Sequence, residues 1–205
     1  MKKLITLGIL LIVLCGYNQV VIAQSEQEQS IEQKINQLKS DSDRVNFLNK
    51  SGEDFLNEGN FKEALLYLNK ALIIAQKQNY DLKIVLIYQN IGNVYSDEGE
   101  NNLALKNYNL ALLRSKKSDN KTGIAQSLNL IGIIYQNLGN YDKAIEVFLE
   151  ALKINNTIKN KKGIVKNYTN LGNTYFYNGN YIKALQNHEA SLSIAKELKD
   201  NKIIS

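Results

Sequence analysis

The chain contains no proline. An interior proline removes a backbone donor and clashes with the preceding turn, so its absence suits long uninterrupted helices. Cysteine occurs once, as Cys15, inside a leading apolar stretch whose expected removal leaves no thiol for disulfide or redox chemistry. Histidine also occurs once, as His188, and a zinc site would have to come from carboxylates that show no ligand spacing. No glycine-rich phosphate loop is present, since Asp119-Asn120-Lys121-Thr122-Gly123 lacks the flanking glycines, and no nucleophile elbow is present either. Acidic pairs such as Glu53-Asp54 and Asp97-Glu98 are consecutive and diverge to different helix faces. Catalysis and a bound cofactor or metal are therefore not expected. The formal charge of +5 becomes +3 once Lys2 and Lys3 are subtracted with the leader, too mild a balance to argue for nucleic acid.

The leader, residues 1–23, has its own composition. Lys2 and Lys3 precede an aliphatic run from Leu4 to Leu14, and Val21-Ile22-Ala23 ends it on a small residue. That is the layout of a secretory signal peptide, with cleavage expected between Ala23 and Gln24 and an extracytoplasmic or periplasmic destination. The run is about 16 Å long as a helix, short of a bilayer core, and Tyr17-Asn18-Gln19 interrupts its extension into an uncleaved anchor. Leu14 before Cys15 is not the small residue that a lipoprotein signal would place there.

What is abundant is repetition. Gly52, Gly92, Gly132 and Gly172 stand forty residues apart, as do Phe55, Tyr95, Tyr135 and Tyr175. Gly59, Gly99, Gly139 and Gly179 form a third column, and Ala64, Ala104, Ala144 and Ala184 a fourth. A fixed period of this size marks stacked supersecondary units. In the second unit, Leu82 to Glu98 reads as a helix A and Asn101 to Ser118 as a helix B, with Gly99 as a left-handed cap between them. Asn60, Asn140 and Asn180 are the expected caps of their B helices, Asn60 forming a capping box with Glu63, and Glu100 is the weak one. Asp41 to Asp43 is the expected N-cap region of the first A helix. Gly92 and Ala104 remove bulk where helices cross, and the aromatics at Tyr95 and its equivalents are the expected anchors. His188 falls in the column of Leu68, Tyr108 and Phe148, as a packed helix B residue.

The boundaries follow from the register: residues 24–41 as a polar segment with a short leading helix (Ile31, Ile35, Leu38), then repeats at 42–80, 81–120, 121–160 and 161–200. Residues 201–205 read as the start of an unfinished fifth repeat, because Ile204 falls in the column of Ile84, Ile124 and Ile164. An end without a polar-faced helix is expected to continue in a longer chain or to form a homodimer.

The order Tyr88, Ile91-Gly92, Tyr95, Gly99, Ala104, Tyr108, Ala111 resembles a tetratricopeptide repeat, and Leu128, Ile131-Gly132, Tyr135, Gly139, Tyr141, Ala144, Phe148, Ala151 resembles it more closely. The common unit of that family has about 34 residues and tends to end in proline; this one is the longer, proline-free kind. The resemblance implies an all-α, right-handed solenoid of four helix-turn-helix repeats behind the leader, without enzymatic activity, that binds a protein or peptide. A leader followed by such repeats is also similar to the exported N-terminal sensor portion of bacterial membrane-bound histidine kinases and transcription regulators, with any membrane contact through segments beyond Ser205. A self-associating structural scaffold is the third reading.

In the family, ligands lie on the concave face formed by helix A. Carried onto this chain, that face comprises Asn46, Asn49, Glu53 and Asn57, then Leu86, Gln89, Asn93, Ser96 and Asp97. Gln126, Asn129, Ile133, Gln136 and Asn137 follow, then Lys166, Thr169, Asn173, Phe176 and Tyr177. Its many amides can both donate to and accept from an extended peptide backbone. Lys166 is the only lysine in this set, which speaks against a carboxylate clamp of the kind some members carry. Phe176 and Tyr177 cannot both face one core, so one of them is expected in the groove as a hot spot. Lysines gather at the turns between repeats: Lys116, Lys117 and Lys121, then Lys159, Lys161 and Lys162, then Lys196, Lys199 and Lys202. They read as a solvated rim, with attraction to acidic surfaces as the sharper alternative.

Overall fold

In the computed structural model, residues 29–203 are described, with side chains to residue 198. The leader, the proposed cleavage point and Ile204 lie outside them. A short helix, α1 (residues 29–37), is followed by α2 (Asp41–Asn57), α3 (Phe61–Lys77), α4 (Asp81–Asp97) and α5 (Asn101–Lys117). Then come α6 (Lys121–Asn137), α7 (Tyr141–Thr157), α8 (Lys161–Tyr177) and α9 (Tyr181–Ile203). Each even-numbered helix from α2 to α8 is a helix A and pairs with the odd-numbered B helix after it. Contacts join neighbours in sequence and successive A helices, α2 to α4 to α6 to α8. That nearest-neighbour pattern defines a solenoid. Among the described residues, no helix is long and apolar enough to cross a membrane.

The turns explain the period. Each A helix stops at a glycine with φ between 72° and 81°, a region that residues with a Cβ adopt at a cost. The residue after it donates back to the aromatic column: Glu100 N–H to Tyr95 C=O and Asn140 N–H to Tyr135 C=O, both at 2.8 Å. The turns from B to A use the same left-handed geometry with Asn79, Asp119 and Lys159 in place of glycine. The capping expectation needs correction. Asn60, Glu100 and Asn140 make no side-chain cap, so Glu100 is no weaker than its neighbours, and Asn60 Nδ2 donates to Glu58 instead of building a box with Glu63. Asn180 does cap, accepting from Lys183 N–H at 3.1 Å. The other asparagine caps belong to A helices: Asn120 and Asn160 accept from Gly123 and Gly163. The first A helix is capped by Ser40, one residue before the expected Asp41 to Asp43 stretch.

The anchors also differ from expectation. Phe55 is buried, but Tyr95, Tyr135 and Tyr175 are only half-buried. The large side chains closed off completely are Tyr67, Tyr108 and Phe148 on B helices. The rings of Tyr108 and Phe148 pack directly against the glycine column: a Cβ built on Gly132 would meet Phe148 Cε1 at 2.5 Å. Glycine is therefore required by the ring on helix B, and Ala104 and Ala144, fully buried, admit the close crossing. His188 puts its imidazole over Gly172 in the same way, yet it is exposed, since among the described residues no helix packs over it as α8 does over Phe148. α9 itself runs on to Ile203, whereas α3, α5 and α7 end at Lys77, Lys117 and Thr157. The turn that the register puts near residue 198 is replaced by continuing helix.

Candidate peptide-binding groove

Three A helices, α4, α6 and α8, lie side by side and share a groove of about 550 Å³. Gln89 and Asn129 are in its floor, and Asn93, Thr122, Gln126, Lys162 and Lys166 line it at more accessible positions. Asn155 and Asn160, from the end of α7 and the turn after it, complete one wall with Asn167.

Burial decides what each amide does. Asn49, Gln89 and Asn129, expected as open donors, are each at most 7% exposed and are used up between repeats. Asn90 Nδ2 donates to Asn49 Oδ1 at 3.0 Å and to Glu53 at 2.7 Å, and Asn49 Nδ2 also donates to Glu53. Forty residues per repeat bring Asn170 to the same place over Asn129, with a 2.9 Å bond. Between them the rung changes, because Leu130 stands in the column of Asn90; Gln89 Nε2 instead donates to Ser127 Oγ at 3.0 Å. Asn167, 1% exposed, donates to Asn129 at 3.2 Å and accepts from Asn155 Nδ2 at 2.7 Å, and Asn160 Nδ2 donates to Asn155. A buried amide without partners is costly, so this ladder fixes the relative register of the repeats. The buried amides of the groove floor already have their partners.

The remaining predicted residues separate. Asn49 and Glu53 line a smaller cleft of about 280 Å³ between α2 and α4, next to Lys83, whose Nζ donates to Ser42 and Asn46. Gln136 is half-buried and accepts from Thr174 Oγ1 at 3.2 Å. Asp97 and Asn173 are exposed and line neither cavity. Phe176 and Tyr177 are both exposed, and neither lines the groove. They form an aromatic cluster at the α8–α9 turn: Phe176 meets Tyr181 edge-on at 5.5 Å, and Tyr177 stacks on Tyr141 at 6.4 Å. Asn93 accepts from the Tyr108 hydroxyl at 2.8 Å, which leaves its amide N–H groups for the groove. Burial, reinforced by the charge of Asp97, pushes the Tyr108 hydroxyl well above the usual tyrosine range, so it stays a donor.

Charge completes the site. The charged residues lining the groove are Lys162 and Lys166, one helical turn apart on α8, and no Asp or Glu lines it. Among the described residues neither lysine has an ion-pair partner, whereas neighbouring Lys161 is held by Glu197 at 2.6 Å. Lys166, the only lysine of the carried-over helix A set, thus has Lys162 beside it in the groove. Lys162, Thr122, Asn155, Asn160 and Asn167 are the residues the column reading missed. The signal for Lys162 was its spacing of four from Lys166.

Two tetratricopeptide repeat profiles match the sequence, over residues 83–157 and 168–198. The chain belongs to the tetratricopeptide repeat family. No curated protein sequence matches it significantly. Among solved structures it is similar to BtubC from P. vanneervenii, with 17% identity over 85% of this chain and 74% of that one and a TM-score of 0.70. It is also similar to aspartyl phosphate phosphatase F from Bacillus subtilis, with 16% identity, 82% and 44% coverage, and a TM-score of 0.76. A third similar structure is the Rap conjugation gene regulator of the plasmid pLS20 in complex with the Phr* peptide, with 23% identity, 73% and 42% coverage, and a TM-score of 0.63. The chain spans less than half the length of the last two. At these identities the likeness establishes the fold. Tetratricopeptide repeat proteins are generally non-enzymatic scaffolds that bind proteins or peptides.

Proposed function

We propose that this tetratricopeptide repeat protein is a non-enzymatic module that holds an extended peptide along the α4–α6–α8 face, the concave side of the solenoid, with an acidic group of the ligand at Lys162 and Lys166. The observation that carries the reading is the pairing of a preformed amide-floored groove with two lysines that, among the described residues, have no ion-pair partner, and with no carboxylate in the groove lining. A preformed groove spares the ligand the cost of ordering its receptor. Asn93, Thr122 and Gln126 supply polar contacts to a backbone, and the lysines orient it by attracting its anionic end. The peptide complex of the pLS20 regulator supports a peptide rather than a small-molecule ligand. Export through residues 1–23 is part of the proposal. The order of leader and repeats also fits the sensor portion of a larger signalling receptor, in which the same groove would receive the signal.

The test is an array of random peptides probed with the intact chain, followed by fluorescence anisotropy on those retained. Acidic peptides are expected to dominate. Lys162→Glu with Lys166→Glu is expected to weaken them by about tenfold, corresponding to about 1.4 kcal/mol. Retention of neutral peptides with equal strength, or indifference to the double variant, overturns the assignment. Tyr177→Ala serves as a surface control and is expected to leave affinity unchanged.

A further inference from the structure

The two rows of turns that bound the solenoid carry opposite charge. The B-to-A turns, residues 77–82, 117–122 and 157–162, hold six lysines against two aspartates, Asp81 and Asp119. The A-to-B turns, residues 57–62, 97–102 and 137–142, hold five carboxylates against one lysine, Lys62. Helices of 17 residues, about 25 Å long, separate the rows. That exceeds the screening length of about 8 Å at physiological salt, so each edge presents its own charge.

The lysines of the cationic edge are available. Lys77, Lys117, Lys121 and Lys159 are exposed, as is Lys116 beside them, and among the described residues none has an ion-pair partner. Arg114, by contrast, is held by Asp81.

The same edge also exposes apolar groups. Outside α9, the most exposed large aliphatic side chains among the described residues are Ile73, Leu82 and Leu113, at 66–67%. Ile73 and Leu113 stand four residues before the ends of α3 and α5, and Leu82 is the second residue of α4. All three therefore lie within about 6 Å, along a helix, of a B-to-A turn.

This combination decides the kind of partner. Protein interfaces favour arginine and aromatic side chains and are poor in lysine. Here the free cations are lysines, mobile point charges spread over three repeats, and the exposed apolar groups are aliphatic. Lysine beside aliphatic side chains is the chemistry of attachment to an anionic lipid surface.

We propose that this edge docks the solenoid on an anionic phospholipid bilayer. Lys116, Lys117, Lys121 and Lys159 meet the headgroup phosphates, and Ile73, Leu82 and Leu113 enter the boundary between headgroups and acyl chains. Repulsion of the acidic edge by the same surface sets the orientation.

Co-sedimentation of the intact chain with phosphatidylglycerol–phosphatidylcholine vesicles tests this, with pure phosphatidylcholine vesicles as the baseline. Comparing variants holds any contribution of the leader constant. Excess binding to the anionic vesicles is expected, and 1 M salt is expected to remove most of it. Lys116→Glu with Lys117→Glu is expected to weaken it on the order of thirtyfold, with helical content unchanged. Ile73→Ser with Leu113→Ser is expected to weaken it severalfold at constant charge. Glu98→Lys with Glu100→Lys raises the net charge on the far edge and is expected to change it less than twofold. No excess on anionic vesicles overturns the proposal, as does a gain from the far-edge variant that matches the loss from the lysine variant. Indifference to the aliphatic variant, with soluble polyglutamate displacing the chain from vesicles at equal charge, identifies an acidic polymer as the partner and also overturns it. These variants leave the residues lining the groove intact and are expected to keep peptide affinity, so failure here is separable from failure of the groove.

Discussion

Replacing Gly132 by alanine sets two effects of opposite sign against each other. Alanine in a helix interior is favoured over glycine by about 1 kcal/mol. At this position, however, the new Cβ would stand 2.5 Å from Phe148 Cε1 and 2.8 Å from Cδ1 and Cζ, where carbon atoms prefer about 3.5–4.0 Å. Phe148 is fully buried and cannot swing into solvent. Overpacking of this kind costs about 1–3 kcal/mol, so the net expectation is a loss of up to about 2 kcal/mol.

The double-mutant cycle with Phe148→Ala isolates the cause. That substitution alone is expected to cost about 3–5 kcal/mol. Combined with Gly132→Ala, the added methyl enters vacated space, so the pair is expected to cost less than the sum by about 1–3 kcal/mol. Urea unfolding followed by circular dichroism supplies the numbers, with coincident probes confirming a single transition. Gly139→Ala is the contrast: nothing lies within 4 Å of its Cβ, but its φ is +72°. It is expected to lose about 1–2 kcal/mol with no coupling to Phe148. If Gly132→Ala raised stability by its propensity gain and the cycle were additive, the reasoning about the glycine column would be refuted.

Two further outcomes are expected. Asn167→Ala removes the acceptor of Asn155 and a donor to Asn129, and is expected to cost about 1–3 kcal/mol; exposed Lys166→Ala, measured alongside, is expected to change stability little. A loss of only a few tenths for Asn167→Ala would count against the ladder. Tyr108→Phe loses the bond to Asn93 and about 1 kcal/mol at neutral pH. Because burial raises the folded-state pKa, the contribution is complete below about pH 10 and is lost as pH rises above it. The wild type is therefore expected to lose stability in alkali more steeply than Tyr108→Phe, and parallel curves would contradict the assignment.

The repeat was legible in the sequence because packing at helix crossings recurs with the unit: Gly92 and Ala104 can be read off their columns without coordinates. The groove was only partly legible. A column with a forty-residue period looks the same whether its face meets solvent or the next A helix, so Asn129 and Gln126 could not be told apart. The structure separates them, because Asn170 and Asn167 close over Asn129 while Gln126 remains open. Capping was misread for a related reason. Asparagine was recognised as a cap by type at Asn60 and Asn140, but whether its side chain reaches its own helix depends on local backbone geometry. His188 shows the third limit, since its column position is correct but its burial depends on a neighbour that no column specifies.

Side-chain amide and lysine chemical shifts, recorded while the intact chain is titrated with an acidic peptide recovered from the array, test the central claim most directly. Perturbations are predicted at Asn93, Gln126, Lys162 and Lys166, with the aromatic cluster around Phe176 and Tyr177 silent. Shifts gathered at that cluster or along α9, with the groove unmoved, would contradict the account.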